Sequence, residues 1–171
     1  MTIRILALGL VLLPPFALAQ EAQEVQDLSA TFVDAAGGEA GSATLTAAPG
    51  GVLIGVEVTG LPPGQWVAFH VHETGSCDPA TRHESAGEHF NPSDTEHGFL
   101  SETGPHAGDM PNIWVDESGT ARAEIFNPHV TLAEGDSTVH GKALMIHAGP
   151  DDHRTQPSGG AGDRLACAVV E

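Results

Sequence analysis

The chain has 171 residues, with 6 Lys+Arg against 23 Asp+Glu for a formal charge of −17, and it carries 21 Gly, 12 Pro, 10 His and 2 Cys. So acidic a chain lacks the basic face that phosphate neutralisation requires, which excludes nucleic acid as a partner. With 40% apolar and only 17% charged residues it reads as one loop-rich globular domain with a real core, not as a disordered acidic tail.

At the start, Met1 to Arg4 form a short positive region, Ile5 to Leu13 an apolar one, and Ala17-Leu18-Ala19 a small-x-small cleavage site before Gln20. This predicts a secretory signal peptide over residues 1–19, cleaved after Ala19, and hence export. Pro14-Pro15 interrupts the apolar run and no basic stop follows it, so no membrane anchor is expected. Residues 20–27 read as a flexible acidic segment ahead of a domain over residues 28–171. From residue 20 onward the charge is −18, because Arg4 is lost and no acid is. Two cysteines remain, Cys77 and Cys167, and in an oxidising compartment such a pair more often forms a disulfide than stays as two buried thiols.

The rest of the chain alternates with period 2 and nowhere sustains a helical repeat, so the domain is all-β. Strands are predicted over 28–33, 42–47, 52–59 and 65–72, separated by Gly37-Gly38, Pro49-Gly50-Gly51 and Leu61-Pro62-Pro63-Gly64. Further strands are predicted at 120–126, 142–147 and 165–170, with weaker ones at 113–115 and near 130–132. Val52, Ile54, Val56 and Val58 share one face, as do Ala121, Ala123 and Ile125, so each strand has a core side and a water side. About eight antiparallel strands of this kind suggest a Greek-key β-sandwich or flattened barrel. Residues 73–112 and 148–163 break the pattern: they are long, rich in Gly, Pro, His and Asp, and poor in apolar residues. Loops of that length carry function and need a metal or a disulfide to order them.

His70 and His72 lie on one face of a strand end, about 6.6 Å apart at about 3.3 Å per residue, within reach of one metal ion. His89, His97, His106 and Asp109 follow in one polar loop, four N/O ligands that suit a tetrahedral zinc site. His147 closes another strand, and several imidazoles around an open position favour copper and redox chemistry.

Five segments carry a resemblance: Ala68-Phe-His-Val-His-Glu-Thr-Gly75, Gly87-Glu-His-Phe-Asn-Pro92, Gly104-Pro-His-Ala-Gly-Asp109, Met145-Ile-His-Ala-Gly149 and Gly162-Asp-Arg-Leu-Ala-Cys167. Together, in this order, they resemble copper-zinc superoxide dismutase, specifically its bacterial periplasmic branch, over residues 28–170. The resemblance implies an enzyme that dismutes superoxide with one copper and one zinc per subunit. It implies copper on His70, His72, His89 and His147, and zinc on His89, His97, His106 and Asp109, with His89 bridging the two. It further implies that Asp151 links a copper His to a zinc His, that Arg164 docks the superoxide anion, and that Cys77 and Cys167 form the disulfide. Periplasmic localisation follows from the same branch, and a homodimer is left open, since its members often pair through surfaces near the region of Trp114.

The chain also departs from the family. Val67 stands where the family has a His and Ala68 where it has a Gly, which removes one hydrogen bond expected to steady His147. The segment between Cys77 and His89 is longer than in eukaryotic members and contains His83, expected at the surface together with His129, His140 and His153. The loop over 148–163 has a single permanent cation, Arg154, so steering of an anion by that loop is expected to be weak.

Overall fold

The computed structural model describes residues 27–171; the signal peptide expected over 1–19 and nearly all of the acidic segment 20–27 lie outside them. Nine strands follow one another: β1 Leu28–Asp34, β2 Glu39–Ala48, β3 Gly51–Val58, β4 Gln65–Val67, β5 Phe69–His72, β6 Ile113–Val115, β7 Ala121–Asn127, β8 Ala143–His147 and β9 Arg164–Val169. They form one antiparallel sheet in the order β4-β6-β7-β3-β2-β1-β9-β8-β5. Its two ends, β4 and β5, are consecutive in the chain and separated only by Ala68. The sheet therefore curls until its edges meet, giving an all-β, nearly closed barrel.

Two expectations change. The strand expected over 65–72 is two strands, because the chain must leave β6, the partner of β4, and join β8, the partner of β5. Ala68 makes that turn, donating its N–H to the Gly149 carbonyl at 2.8 Å and accepting from the His147 N–H at 3.0 Å. The segment near 130–132 is not a strand; Thr131 forms only an isolated bridge with Thr138.

Alternation decides what lies inside. Phe32, Leu45, Ile54, Val58, Phe69, Val71, Leu144 and Ile146 are fully buried in the main core. The neighbouring positions, His70, His72, Met145 and His147, point to the opposite face of β5 and β8, yet they too are buried. The long segment 73–112 covers that face. Phe90, Ala107 and Met110 from this segment insert into the main core, and Phe90 and Met110 contribute about 2 kcal/mol each by burial. A smaller cluster of Ala86, Ala143, Met145 and Cys167, with Cys77 packed against it, seals the other end of the cover. The Cys77–Cys167 disulfide, with Cα atoms 5.5 Å apart, ties the segment to β9.

Candidate metal centre

The covering segment returns to β5 through main-chain bonds that set the positions of the loop imidazoles. Val71 donates to the Gly108 carbonyl and accepts from the Phe90 N–H, both at 2.8 Å. His89 and Asp109 are thereby brought opposite His72 and His70 as isolated bridge partners. Two groups of four potential ligand atoms result, each within a span of 4.8 Å: His70, His72, His89 and His147, and His89, His97, His106 and Asp109. Among the described residues, all seven side chains are buried.

The ring nitrogens of these histidines divide in a way that fits two metals. In the first group the outward nitrogens are occupied: His70 Nε2 by Asp151 Oδ2 at 2.9 Å, His72 Nδ1 by the Gly87 carbonyl at 2.9 Å and His147 Nδ1 by the Gly162 carbonyl at 3.4 Å. The inward ones are not: His70 Nδ1 and His89 Nε2 are buried without a partner, and His72 Nε2 faces His147 Nε2 at 3.4 Å. In the second group the Nδ1 atoms of His89, His97 and His106 surround a single oxygen, Asp109 Oδ1, at 2.9, 3.0 and 3.4 Å. Buried polar atoms without partners are costly, and a cation in each group satisfies them together. The donor sets agree with this: four imidazoles suit copper, and three imidazoles with a carboxylate suit zinc. His89 alone presents one nitrogen to each group.

Asp151 joins the groups from behind, its Oδ2 on His70 Nε2 and its Oδ1 on His97 Nε2 at 3.0 Å. Sequence reasoning singled out Asp151 but missed what holds it. The Asn112 amide clamps its main chain, accepting from the Asp151 N–H at 2.8 Å and donating to its carbonyl at 2.9 Å. Gln156 does the same for His97, bonding its N–H and its carbonyl at 2.9 Å each. Both act across separations of 39 and 59 residues, beyond any local pattern, although a lone Asn or Gln in a loop of acids and histidines is the signal that could have drawn notice. Gly159, with φ +70°, passes so close that a Cβ there would meet Asp151 Oδ1 at 1.8 Å and His97 Nε2 at 2.8 Å.

Charges within the centre are strongly coupled. Burial alone would raise Asp109, but the imidazoles of His106, His89 and His97 and the Gly98 N–H outweigh it and hold the carboxyl far below its ordinary range. Asp151 is depressed in the same way, by His70 and His97 against the effect of burial. Burial lowers His70 to about 4, and it lowers His72, His89 and His147 as well, so these imidazoles are neutral at neutral pH, as ligands must be.

Arg164 is the cross-strand neighbour of His147, and its charge is close enough to depress His72 and His147. Its guanidinium donates to the carbonyls of His83 at 2.9 Å and Gly87 at 2.8 Å. His83, expected at the surface, is instead fully buried, because the extra length before His89 folds into two short 3-10 turns that tuck its ring under the cover. His129 and His140 are exposed, and His153 is half-buried beside Phe99 and Asp151. Val67 lies in the barrel core, and the outward Nδ1 of His147 has only its long contact to the Gly162 carbonyl.

Comparison with known proteins agrees with this chemistry. The family model for copper/zinc superoxide dismutase matches residues 39–170. A copper-zinc superoxide dismutase of Aquifex aeolicus is 46% identical over 160 residues, covering 91% of this chain and 92% of that protein. The copper/zinc superoxide dismutase structure from Brucella abortus superposes with a TM-score of 0.70 at 29% identity, covering 85% of this chain and all of that one. A superoxide dismutase-like protein from Bacillus subtilis gives 0.78 at 34% identity, covering 82% and 96%. No helix among the described residues is long and apolar enough to cross a membrane. With two groups of four potential ligands sharing one imidazole on a nearly closed β-barrel, and with relatives of this identity over nearly its whole length, the chain belongs to the copper/zinc superoxide dismutase family.

Proposed function

We propose that His70, His72, His89 and His147 hold copper, that His89, His97, His106 and Asp109 hold zinc, and that Arg164 docks superoxide beside the copper group. The observation that carries this reading is the division of the ring nitrogens, which leaves His89 as the one residue facing both groups. Copper, when bound, supplies the one-electron cycling that takes one superoxide to dioxygen and a second, with two protons, to hydrogen peroxide. The chain's own part is positioning and proton supply. Arg164 offers a permanent charge and a fixed fork of donors to a small anion, next to His147. His89 Nε2 would hold one proton for the second anion, with solvent supplying the other. Asp151 holds His70 and His97 through their outer nitrogens, which fixes the rings and raises their basicity.

The reading extends to the ends and surfaces of the chain. Residues 1–19 act as a signal peptide cleaved after Ala19, residues 20–27 are the acidic segment ahead of the domain, and the domain over 28–171 works in the periplasm, where its disulfide forms. A homodimer is supported by Trp66 and Trp114, which pair across β4 and β6 at 5.4 Å while staying about half exposed; light scattering on the purified protein distinguishes it from a monomer. The decisive experiment loads the protein with one copper and one zinc, verifies both by elemental analysis after dialysis, and follows superoxide decay after pulse radiolysis. Second-order decay near the ceiling of about 10⁹ M⁻¹s⁻¹, falling at least tenfold in Arg164→Ala with metals retained, is expected. Decay no faster than buffer with both metals in place overturns the reading.

A further inference from the structure

The two carbonyls that receive Arg164 come from one short turn. His83 is the N-cap of the 3-10 turn Glu84–Ala86 and Gly87 is its C-cap. The His83 carbonyl accepts twice, from the Ala86 N–H at 3.1 Å and from Arg164 Nη1 at 2.9 Å. The Gly87 carbonyl accepts from Arg164 Nη2 at 2.8 Å and from His72 Nδ1 at 2.9 Å, so this turn connects the guanidinium directly to a histidine of the copper group.

Holding that turn requires an unusual main chain. Arg82 and His83 are consecutive non-glycine residues with positive φ, 53° and 62°. Such residues persist where their surroundings over-determine them. The main-chain bonds here, Arg82 N–H to Pro79 and His83 N–H to Asp78, both at 3.0 Å, account for part of that. The rest is the His83 side chain, completely buried although neither ring nitrogen has a hydrogen-bond partner. The groups around it are Asp34 at the end of β1, Asp78 and Arg164. Burial, reinforced by the Arg164 charge, keeps the ring below its ordinary pKa against the Asp34 carbonyl and the carboxylates of Asp34 and Asp78, so it stays neutral beside the guanidinium. A neutral buried ring that approaches only the Asp34 carbonyl, without a hydrogen bond of normal geometry, contributes chiefly its shape.

We infer that His83 is the positioning residue of Arg164: its ring, sealed beneath the cover near β1, pins the left-handed pair 82–83 so that the carbonyls of His83 and Gly87 hold both guanidinium arms. The Glu84 carboxylate, 3.6 Å from Arg164 Nη2, is mostly exposed and cannot fix the arm alone. This inference rests on the reading that Arg164 docks the anion.

The test is a double-mutant cycle on the copper- and zinc-loaded protein, with His83→Ala, Arg164→Ala and both together. Azide affinity, followed by the visible absorption of copper, is measured beside the superoxide rate. The expected result is that His83→Ala weakens azide about tenfold and slows decay by a similar factor with metal content unchanged, yet changes neither by more than about twofold in the Arg164→Ala background. Equal losses in both backgrounds mark a purely structural role and overturn the inference, as does an unchanged azide affinity in His83→Ala while Arg164→Ala is impaired. If Arg164→Ala itself leaves azide and rate unchanged, it is the docking reading that fails. Should His83→Ala not retain both metals, His83→Asn, which tolerates the left-handed main chain but leaves the ring's space empty, carries the same expectations.

Discussion

Asp151 serves two imidazoles at once, one from each ligand group, and each loses its orientation if the carboxylate cannot accept from both. In Asp151→Asn the amide retains the shape but one acceptor becomes a donor. Zinc affinity should fall about 10- to 100-fold in chelator competition, and an unchanged affinity would show that the rings are held by packing alone. The metal-free protein should also record the buried histidines in its pH dependence. His70 is held at about 4 in the fold and His72 and His147 are likewise lowered, against about 6.5 when unfolded, so the unfolded chain takes up protons first as the pH falls. Stability is therefore lost from about pH 6.5 downward. Burial lowers His97 too, but Asp109 and Asp151 outweigh it and raise it to about 9. Its contribution is complete below about pH 6.5 and is lost as the pH rises through 9. Thermal unfolding without metals should peak near pH 6.5 and decline on both sides, and a midpoint flat from pH 5 to 9 would contradict this assignment of charges.

The covering segment 73–112 is the element on which the site depends, and it holds almost no ladder of its own. Its anchors are Phe90, Ala107 and Met110 in the core and the disulfide spanning 90 residues. Loop-closure entropy gives that disulfide at most about 4.5 kcal/mol. Replacing both cysteines by serine should lower stability by roughly 2–4.5 kcal/mol in chemical denaturation, and it should weaken Arg164 function because Cys77 packs against the same cluster as Ala86. Retained stability in the double variant would mean that the core anchors suffice. The seven residues that the fold clusters were legible: alternation puts His70 and His72 on one face, His89, His106, Asp109 and His147 sit in short motifs, and His97 falls in the same polar loop. What was not legible acts at long range or through conformation. Nothing local in Gln65 to His72 announces the turn at Ala68, which is dictated by two different partner strands. His83 lies among polar residues, and nothing local marks the left-handed pair and the short turns that go with its burial. Asn112 and Gln156 are ordinary loop amides until the fold delivers Asp151 and His97 to them.

At the scale of the molecule, a chain with a formal charge of −17 must admit an anion. Distant surface acids are screened beyond about 8 Å at physiological salt, whereas the cations at the floor of the site act locally. Decay of superoxide should accordingly slow as salt rises, but modestly, and Arg154→Ala should reduce the low-salt rate by less than about twofold, since its exposed guanidinium reaches the Leu100 carbonyl at 3.3 Å, away from the ligand groups. Rates measured at several ionic strengths for both proteins check this; a rate rising with salt would mean that net repulsion dominates. The closure at Ala68 has a consequence of another kind. It is the place where a nine-stranded sheet hides both of its edges, and His147 and Gly149, on either side of it, belong to the strand and loop that a bound copper would hold. A seam that loosens without metal would bare the unpaired N–H and C=O groups of β4 and β5, the template on which one chain adds to the next. Metal loading would then protect against self-association as well as enable chemistry, and the net negative charge of the chain would keep apart those molecules whose seam has opened.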